Sequence, residues 1–267
     1  MLETKEEKRA RKARERGETT PIVEVPAVSA PTSDPNKVTV LCVRYGNKYG
    51  RDYVERLRNM VARHMTIPYE FVCLTDDTKP IEGVRSIVQP SAGYTKLWWQ
   101  KVHMFDPALP IQGKIIFFDL DVVIHANIDK LIAFADRNFV GIHDFNRAFH
   151  STWMNLNSSV MAWTHSTQSH IWEQFKANPQ DAQRLHGDQD WIWKTSKHVI
   201  KFWPKEWVQS YKWEVRKREE LTMSSGKRKF KNVDHSIDVD PACCVTVFHG
   251  DPKPQDVQDK FVVDNWR

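Results

Sequence analysis

Residues 114 to 124 read KIIFFDLDVVI, the most apolar stretch of the chain, interrupted only by Asp119 and Asp121. A run this rich in β-branched and aromatic side chains is expected of one strand buried on both faces, as in a parallel sheet covered by helices on either side. Upstream, VTVLCVRYG (38–46) and EFVCLTDD (70–77) read the same way, and between them Val54, Leu57, Val61 and Met65 recur at helical spacing. Strand, helix and strand in succession form a βαβ start. The alternation continues with a short strand in VRSIVQ (84–89) and a helix in TKLWWQKVHMF (95–105). Beyond the central run come NIDKLIAFAD (127–136), strands in FVGIHD (139–144) and SVMAW (159–163), a helix around 166–177, and a last strand in CCVTVFHG (243–250). The expected fold is an α/β, Rossmann-like, mostly parallel sheet flanked by helices.

The chain has 267 residues, 40% hydrophobic and 27% charged, with a net charge of +5. That length and composition support a full-sized core and exclude a disulfide-stapled miniprotein. No stretch approaches the roughly 20 apolar residues a membrane span needs. The opening MLETKEEKRARKARERGETT has no apolar core behind its charges, so no transmembrane segment or cleaved signal is expected and a cytoplasmic location is. Four cysteines, Cys42, Cys73, Cys243 and Cys244, sit in or beside apolar runs and read as reduced, buried thiols.

Residues 1–36 hold seven basic and seven acidic side chains, and PIVEVPAVSAPTSDPN (21–36) carries four prolines. This reads as a disordered tail, with one folded domain over 37–267. The charge excess sits in 211–231, where eight basic residues face three acidic ones, a basic insertion within the domain.

In open α/β sheets ligands gather at the carboxyl ends of the strands. Polar residues stand there at Tyr45, at Asp76 and Asp77, at Asp119 and Asp121, and at His249. Two carboxylates beside an apolar strand are costly to bury unpaired, and a hard cation such as Mn²⁺ or Mg²⁺, shared with phosphate oxygens, would satisfy both. In VFHGDPKP, His249 offers an imidazole ligand, Gly250 permits close backbone approach, and the proline-braced Lys253 offers a fixed positive charge for an anion.

These segments resemble the GT-A glycosyltransferases, in particular the retaining family of glycogenin and the bacterial lipopolysaccharide galactosyltransferases. GKIIFFDLDVVIHANIDKL resembles its DxD region, LNSSVMAW its N-[SA]-G-V-M stretch, HGDQDWIW its D-Q-D element and FHGDPKP its closing HxGxxKP motif. The resemblance implies a metal-dependent transfer of a sugar from a nucleotide-sugar, a UDP-sugar first, with retention of configuration. It implies that Asp119, Asp121 and His249 hold Mn²⁺ (or Mg²⁺) against the diphosphate, that Lys253 meets the leaving phosphate, and that Lys96 is the basic residue near the phosphates. It further places Asn157, Asp188 and Gln189 at the sugar, with the last two at the anomeric carbon. Departures are CVRYG, which leaves Tyr45 as the residue to stack on the base, Ser159 in place of a glycine, and Gln255 in place of a tryptophan after KP. Trp98, Trp99, Trp191 and Trp193 adjoin these motifs as candidate sugar-stacking surfaces.

Two other readings compete. FFDLDVV is close to the aspartate motif of haloacid-dehalogenase-like phosphatases, whose first Asp is a nucleophile and second a general acid. That motif opens its domain, however, whereas here two strand-like segments and a helix precede it. A nonenzymatic reading makes the basic 211–231 segment a surface for nucleic acid or another polyanion. Within the glycosyltransferase reading, the same segment points to an anionic glycan or protein as acceptor.

Overall fold

The computed structural model describes residues 37–91, 93–94, 96–150, 152–216, 218–222, 228–232 and 237–267. The expected tail at 1–36 lies outside them, as does part of the basic segment 211–231. Among the described residues no helix is long and apolar enough to cross a membrane.

Strand β1 (Val38–Arg44) pairs in parallel with β2 (Tyr69–Thr75) on one side and β4 (Lys114–Phe118) on the other, and β2 pairs in parallel with β3 (Arg85–Val88). Beyond β4 come β7 (Leu156–Thr164), β6 (Val140–His143) and β8 (Lys201–Phe202), giving the order β3-β2-β1-β4-β7-β6-β8. Only β7 runs against the rest, antiparallel to both β4 and β6. The sheet is therefore mostly parallel, as the apolar runs require.

Both faces are covered, and the period-two alternation of strand side chains divides each run between two apolar layers. On β4, Ile116 and Phe118 enter one layer, with helix α1 (Arg51–His64) and helix α2 (Asp129–Ala135). Ile115 and Phe117 enter the other, with helices α3 (Ser169–Ala177) and α5 (Asp188–Ser196); a short helix α4 (Pro179–Gln183) links the two. Within α1 the buried residues are Val54, Leu57, Met60 and Val61, the stripe expected of an amphipathic helix.

The central run departs from expectation. It forms two strands in two sheets: β4 ends at Phe118, and β5 (Val122–Ile124) joins a small sheet with β12 (Val245–Val247) and β9 (Val208–Ser210). The hand-over occurs at the aspartates. The Asp119 N–H still donates to the Ser159 carbonyl of the large sheet (2.8 Å), while the Asp121 carbonyl accepts from the Phe248 N–H after β12 (3.0 Å). Splitting the strand here lets each carboxylate find a cation, where an unbroken buried strand would have left both unpaired.

The helix expected over 95–105 is a 3₁₀ helix, Leu97–Phe105, in which six of nine residues are buried. Its threefold winding stacks Trp99, Val102 and Phe105 in one row against the second layer. The basic segment begins with a single π-helical turn, Tyr211–Val215, and continues as a hairpin of β10 (Arg218–Thr222) and β11 (Arg228–Asn232). A last helix, α6 (Lys260–Asn265), ends the chain. All four cysteines are free and buried, and burial pushes the Cys243 thiol up to about 11 and Cys244 to about 12. They are unreactive thiols, as the apolar surroundings imply.

Candidate functional site

Lys101 is the centre of the site. It sits on the 3₁₀ helix, 7% exposed, and its ammonium donates to Asp119 Oδ1 (2.9 Å) and Ser158 Oγ (3.0 Å) and lies 3.4 Å from Asp188 Oδ2. Burial alone would lower its pKa, but the two carboxylates outweigh it and hold Lys101 above the usual lysine value. Asp119 is pushed up to about 6, first by burial and then by repulsion from Asp121 and Asp188, against the opposing pull of Lys101.

The partners of Lys101 come from separate elements. Ser158 lies where the pairing of β7 with β6 changes register, between Gly141 opposite Met161 and Ile142 opposite Asn157. An irregularity of this kind re-aims side chains at a strand end. Ser158 Oγ bonds to Asp188 Oδ2 (3.1 Å), and Asn157 Oδ1 accepts the Ser159 N–H (3.1 Å). Asp188 and Gln189 open α5 directly after its N-cap, Gly187. Gln189 Oε1 accepts the Ser158 N–H (3.3 Å) and its Nε2 donates to Asp144 Oδ2 (3.2 Å). Asp144 also caps the short 3₁₀ turn Phe145–Ala148 through the Asn146 N–H.

Asp121 belongs to the other side. Its Oδ2 accepts from the Tyr49 hydroxyl (2.8 Å) and from Lys253 Nζ (2.5 Å). Lys253 also donates to the Phe248 carbonyl (3.1 Å), and Asp256 accepts the Lys253 N–H at 2.8 Å. Burial and the neighbouring Asp121 drive the Tyr49 phenol far above its ordinary pKa, so it stays protonated and donates. Gly250 has φ +73, a left-handed backbone that favours glycine at this turn.

His249 packs among aromatic rings. Its ring stacks on Phe145 at 5.1 Å and meets Trp213 edge-on at 4.7 Å, and its Nε2 hydrogen-bonds Ser210 Oγ (2.7 Å). Among the described residues no three His, Cys, Asp or Glu side chains gather as a metal-binding group. Asp119 and Asp121 by themselves suit a hard divalent cation: two carboxylates close enough to repel, each with one oxygen taken by a lysine and a second for a metal.

The Lys96 ammonium lies over the Trp98 ring (4.7 Å), and the lysine that pairs with the carboxylates is Lys101, five residues on. A lysine inside the apolar stretch LWWQKVHMF can be buried only if it is paired, and that was the signal for it in the sequence. Tyr45 is 8% exposed, packed in the second apolar layer with its hydroxyl on Gln89, so its ring is largely taken up by the core. Asp76 accepts the Gly46 N–H and Asp77 pairs with Arg44 (3.1 Å), which braces the loop after β1. Of the tryptophans, Trp99 and Trp191 are buried and Trp193 stacks on Phe202, whereas Trp98 is 45% exposed beside Gly187. Tyr49 and Asp144 carried no motif that marked them, and Ser158 lay inside the LNSSVMAW motif without being assigned a role.

No family model and no curated protein matches the sequence. Solved structures do match. An active-site glutamine-to-glutamate variant of LgtC is 11% identical, with a TM-score of 0.56 over 83% of this chain and 90% of LgtC. The glycosyltransferase GlyE of Streptococcus pneumoniae is 13% identical, with a TM-score of 0.59 over 85% of this chain and 59% of GlyE. The bifunctional glycosyltransferase WbbM is 12% identical, with a TM-score of 0.57 over 89% of this chain and 50% of WbbM. The chain thus has the fold of GT-A glycosyltransferases, spanning nearly all of LgtC and about half of the other two. The phosphatase reading is not favoured, because these neighbours are glycosyltransferases.

Proposed function

We propose that this chain is a glycosyltransferase that takes a sugar from a nucleotide-sugar, a UDP-sugar first, and retains its anomeric configuration. The observation that carries the reading is the arrangement of Asp119, Asp121 and Asp188 around Lys101 and Lys253, where β4 ends, in a fold shared with glycosyltransferases. LgtC has been solved with donor and acceptor sugar analogues, which supports placing both substrates at the corresponding end of this sheet.

In this reading Asp119 and Asp121 would hold Mn²⁺ or Mg²⁺, which when bound neutralises charge on the departing diphosphate. Lys253 meets the leaving phosphate as a point charge. Gly250 gives that turn its left-handed conformation and lets the backbone approach closely. Lys101 fixes Asp188 relative to Asp119, and Asp144 with the Ser158 N–H fixes the Gln189 amide. Positive charge developing at the anomeric carbon then faces oriented oxygens of Asp188 and Gln189, with Asn157 on the sugar hydroxyls. Gln189 is neutral and a poor nucleophile, so the acceptor attacks from the face of the departing diphosphate. Trp98 provides an exposed stacking surface beside Gly187 for a sugar ring. His249, held by Ser210 and Phe145, shapes the closing turn.

Calorimetry with UDP and Mn²⁺ tests the reading. Asp121→Asn should abolish metal-dependent nucleotide binding in a folded protein, and unchanged affinity would refute it. Gln189→Ala should lower kcat far more than it weakens donor binding. NMR of the product from an α-linked donor should show an α linkage; a β linkage would remove Gln189 from this role.

A further inference from the structure

The two carboxylates of the DxD segment are already neutralised from within. Lys101 pairs with Asp119 at 2.9 Å and Lys253 with Asp121 at 2.5 Å. The two lysines are not held alike. Lys101 is enclosed by two carboxylates and a hydroxyl, and it cannot leave Asp119 without stranding Asp188 as well. Lys253 has one carboxylate and one carbonyl, Asp121 and Phe248, and its backbone follows the Gly250 turn at the chain's closing segment. Asp121 would still keep the Tyr49 hydroxyl on the same oxygen if Lys253 departed.

From this asymmetry, and resting on the function proposed above, we infer that Lys253 makes the carboxylate pair selective for a divalent cation that arrives with a diphosphate over the free ion. A free cation approaching Asp121 meets an ammonium already there, and displacing it leaves Lys253 without an anion. A cation carrying phosphate oxygens brings the replacement anion, and Lys253 exchanges Asp121 for phosphate while remaining paired. Opposite charges this close in a partly buried site interact several times more strongly than in water, so the exchange governs affinity. Tyr49 is the positioning residue: its hydroxyl holds Asp121 in one orientation through the exchange.

The test is Mn²⁺ titration of the full chain, followed by electron paramagnetic resonance and calorimetry, with and without UDP. The wild-type protein should bind Mn²⁺ alone weakly and at least tenfold more tightly with UDP. Lys253→Met should raise the affinity for Mn²⁺ alone by about tenfold and shrink the enhancement by UDP, while Lys253→Arg should restore the wild-type pattern. Equal or weaker binding of Mn²⁺ alone by folded Lys253→Met would overturn the inference. Lys253→Gln gives the same comparison should the methionine variant misfold. Asp121→Asn separates the two levels: if it keeps wild-type binding of Mn²⁺ with UDP, the site reading itself fails. If it abolishes that binding while Lys253→Met shows no gain, only the selectivity inference fails.

Discussion

Asp119 and Asp121 stand two residues apart yet belong to differently built halves of the site. The Asp119 half is made by the large sheet and the helices on one face: Lys101, Ser158, Asp188 and Gln189 bond to one another in a partly buried network. The Asp121 half is made by the small sheet, the loop before α1 and the closing turn, with Tyr49 and Lys253 as its two contacts. The contrast teaches that the first half is a framework, since no group in it can move alone, whereas the second is an exchangeable contact.

The sharpest way to break this comparison is to remove each lysine in turn. Lys101→Met leaves two half-buried carboxylates, Asp119 and Asp188, without their cation and should cost about 3 kcal/mol. Lys253→Met strands one carboxylate rather than two, and Asp121 keeps the Tyr49 hydrogen bond, so it should cost less, about 2 kcal/mol. Urea denaturation of the two variants measures both, and equal losses would mean the halves are equally structural.

Acid should loosen the Asp121 half first. His125 follows β5, hydrogen-bonds Thr246 of β12 (3.1 Å), and is pushed down to about 4 by burial and then by His64 and Lys130. The unfolded imidazole titrates near 6.5, so between those values the unfolded chain binds the extra proton. Stability is fully present above about pH 6.5 and falls as pH drops toward 4, by up to about 3 kcal/mol. His125→Gln should flatten that part of the profile. Hydrogen exchange should show β12 amides losing protection before those of β1.

Tyr49→Phe removes one hydrogen bond to a carboxylate and should cost about 1.5 kcal/mol. It should weaken Mn²⁺-dependent UDP binding several-fold, read by calorimetry, without touching the Lys101 network. The smallest effect is expected from deleting residues 1–36, whose balanced charge and prolines give them no apolar face to dock. The melting temperature should stay within about 2 °C of the full chain, since larger shifts correspond to interactions approaching 1 kcal/mol.

Much of this was legible from residue order. The runs at 38–44, 69–75 and 156–164 are strands because both of their faces are covered, and a doubly covered strand must be apolar throughout. Asp119, Asp188, Gln189, Asp121 and Lys253 were singled out by motif, and the structure brings the first three together around Lys101 and Ser158 and the last two into direct contact. His249 was singled out too, and the structure sets its ring against Phe145 with its Nε2 on Ser210, contacts that no local pattern announced. Lys96 caps the 3₁₀ helix and Lys101 lies in its middle, and spacing alone did not decide between them.

By itself the sequence determined the main strands of the large sheet, the helix between the first two and which residues carry charge at strand ends, because those follow from periodicity and side-chain chemistry within a dozen residues. Only the tertiary structure decided which cation meets which carboxylate. Lys101 lies 18 positions from Asp119, Tyr49 lies 72 from Asp121, and Lys253 lies 132 from Asp121. It also decided that KIIFFDLDVVI is two strands, because the sheet that each half joins is set by β7 and β12, far along the chain. The physical reason is that Coulomb and hydrogen-bond energies depend on distance and burial in the folded state, and no local window of sequence encodes either.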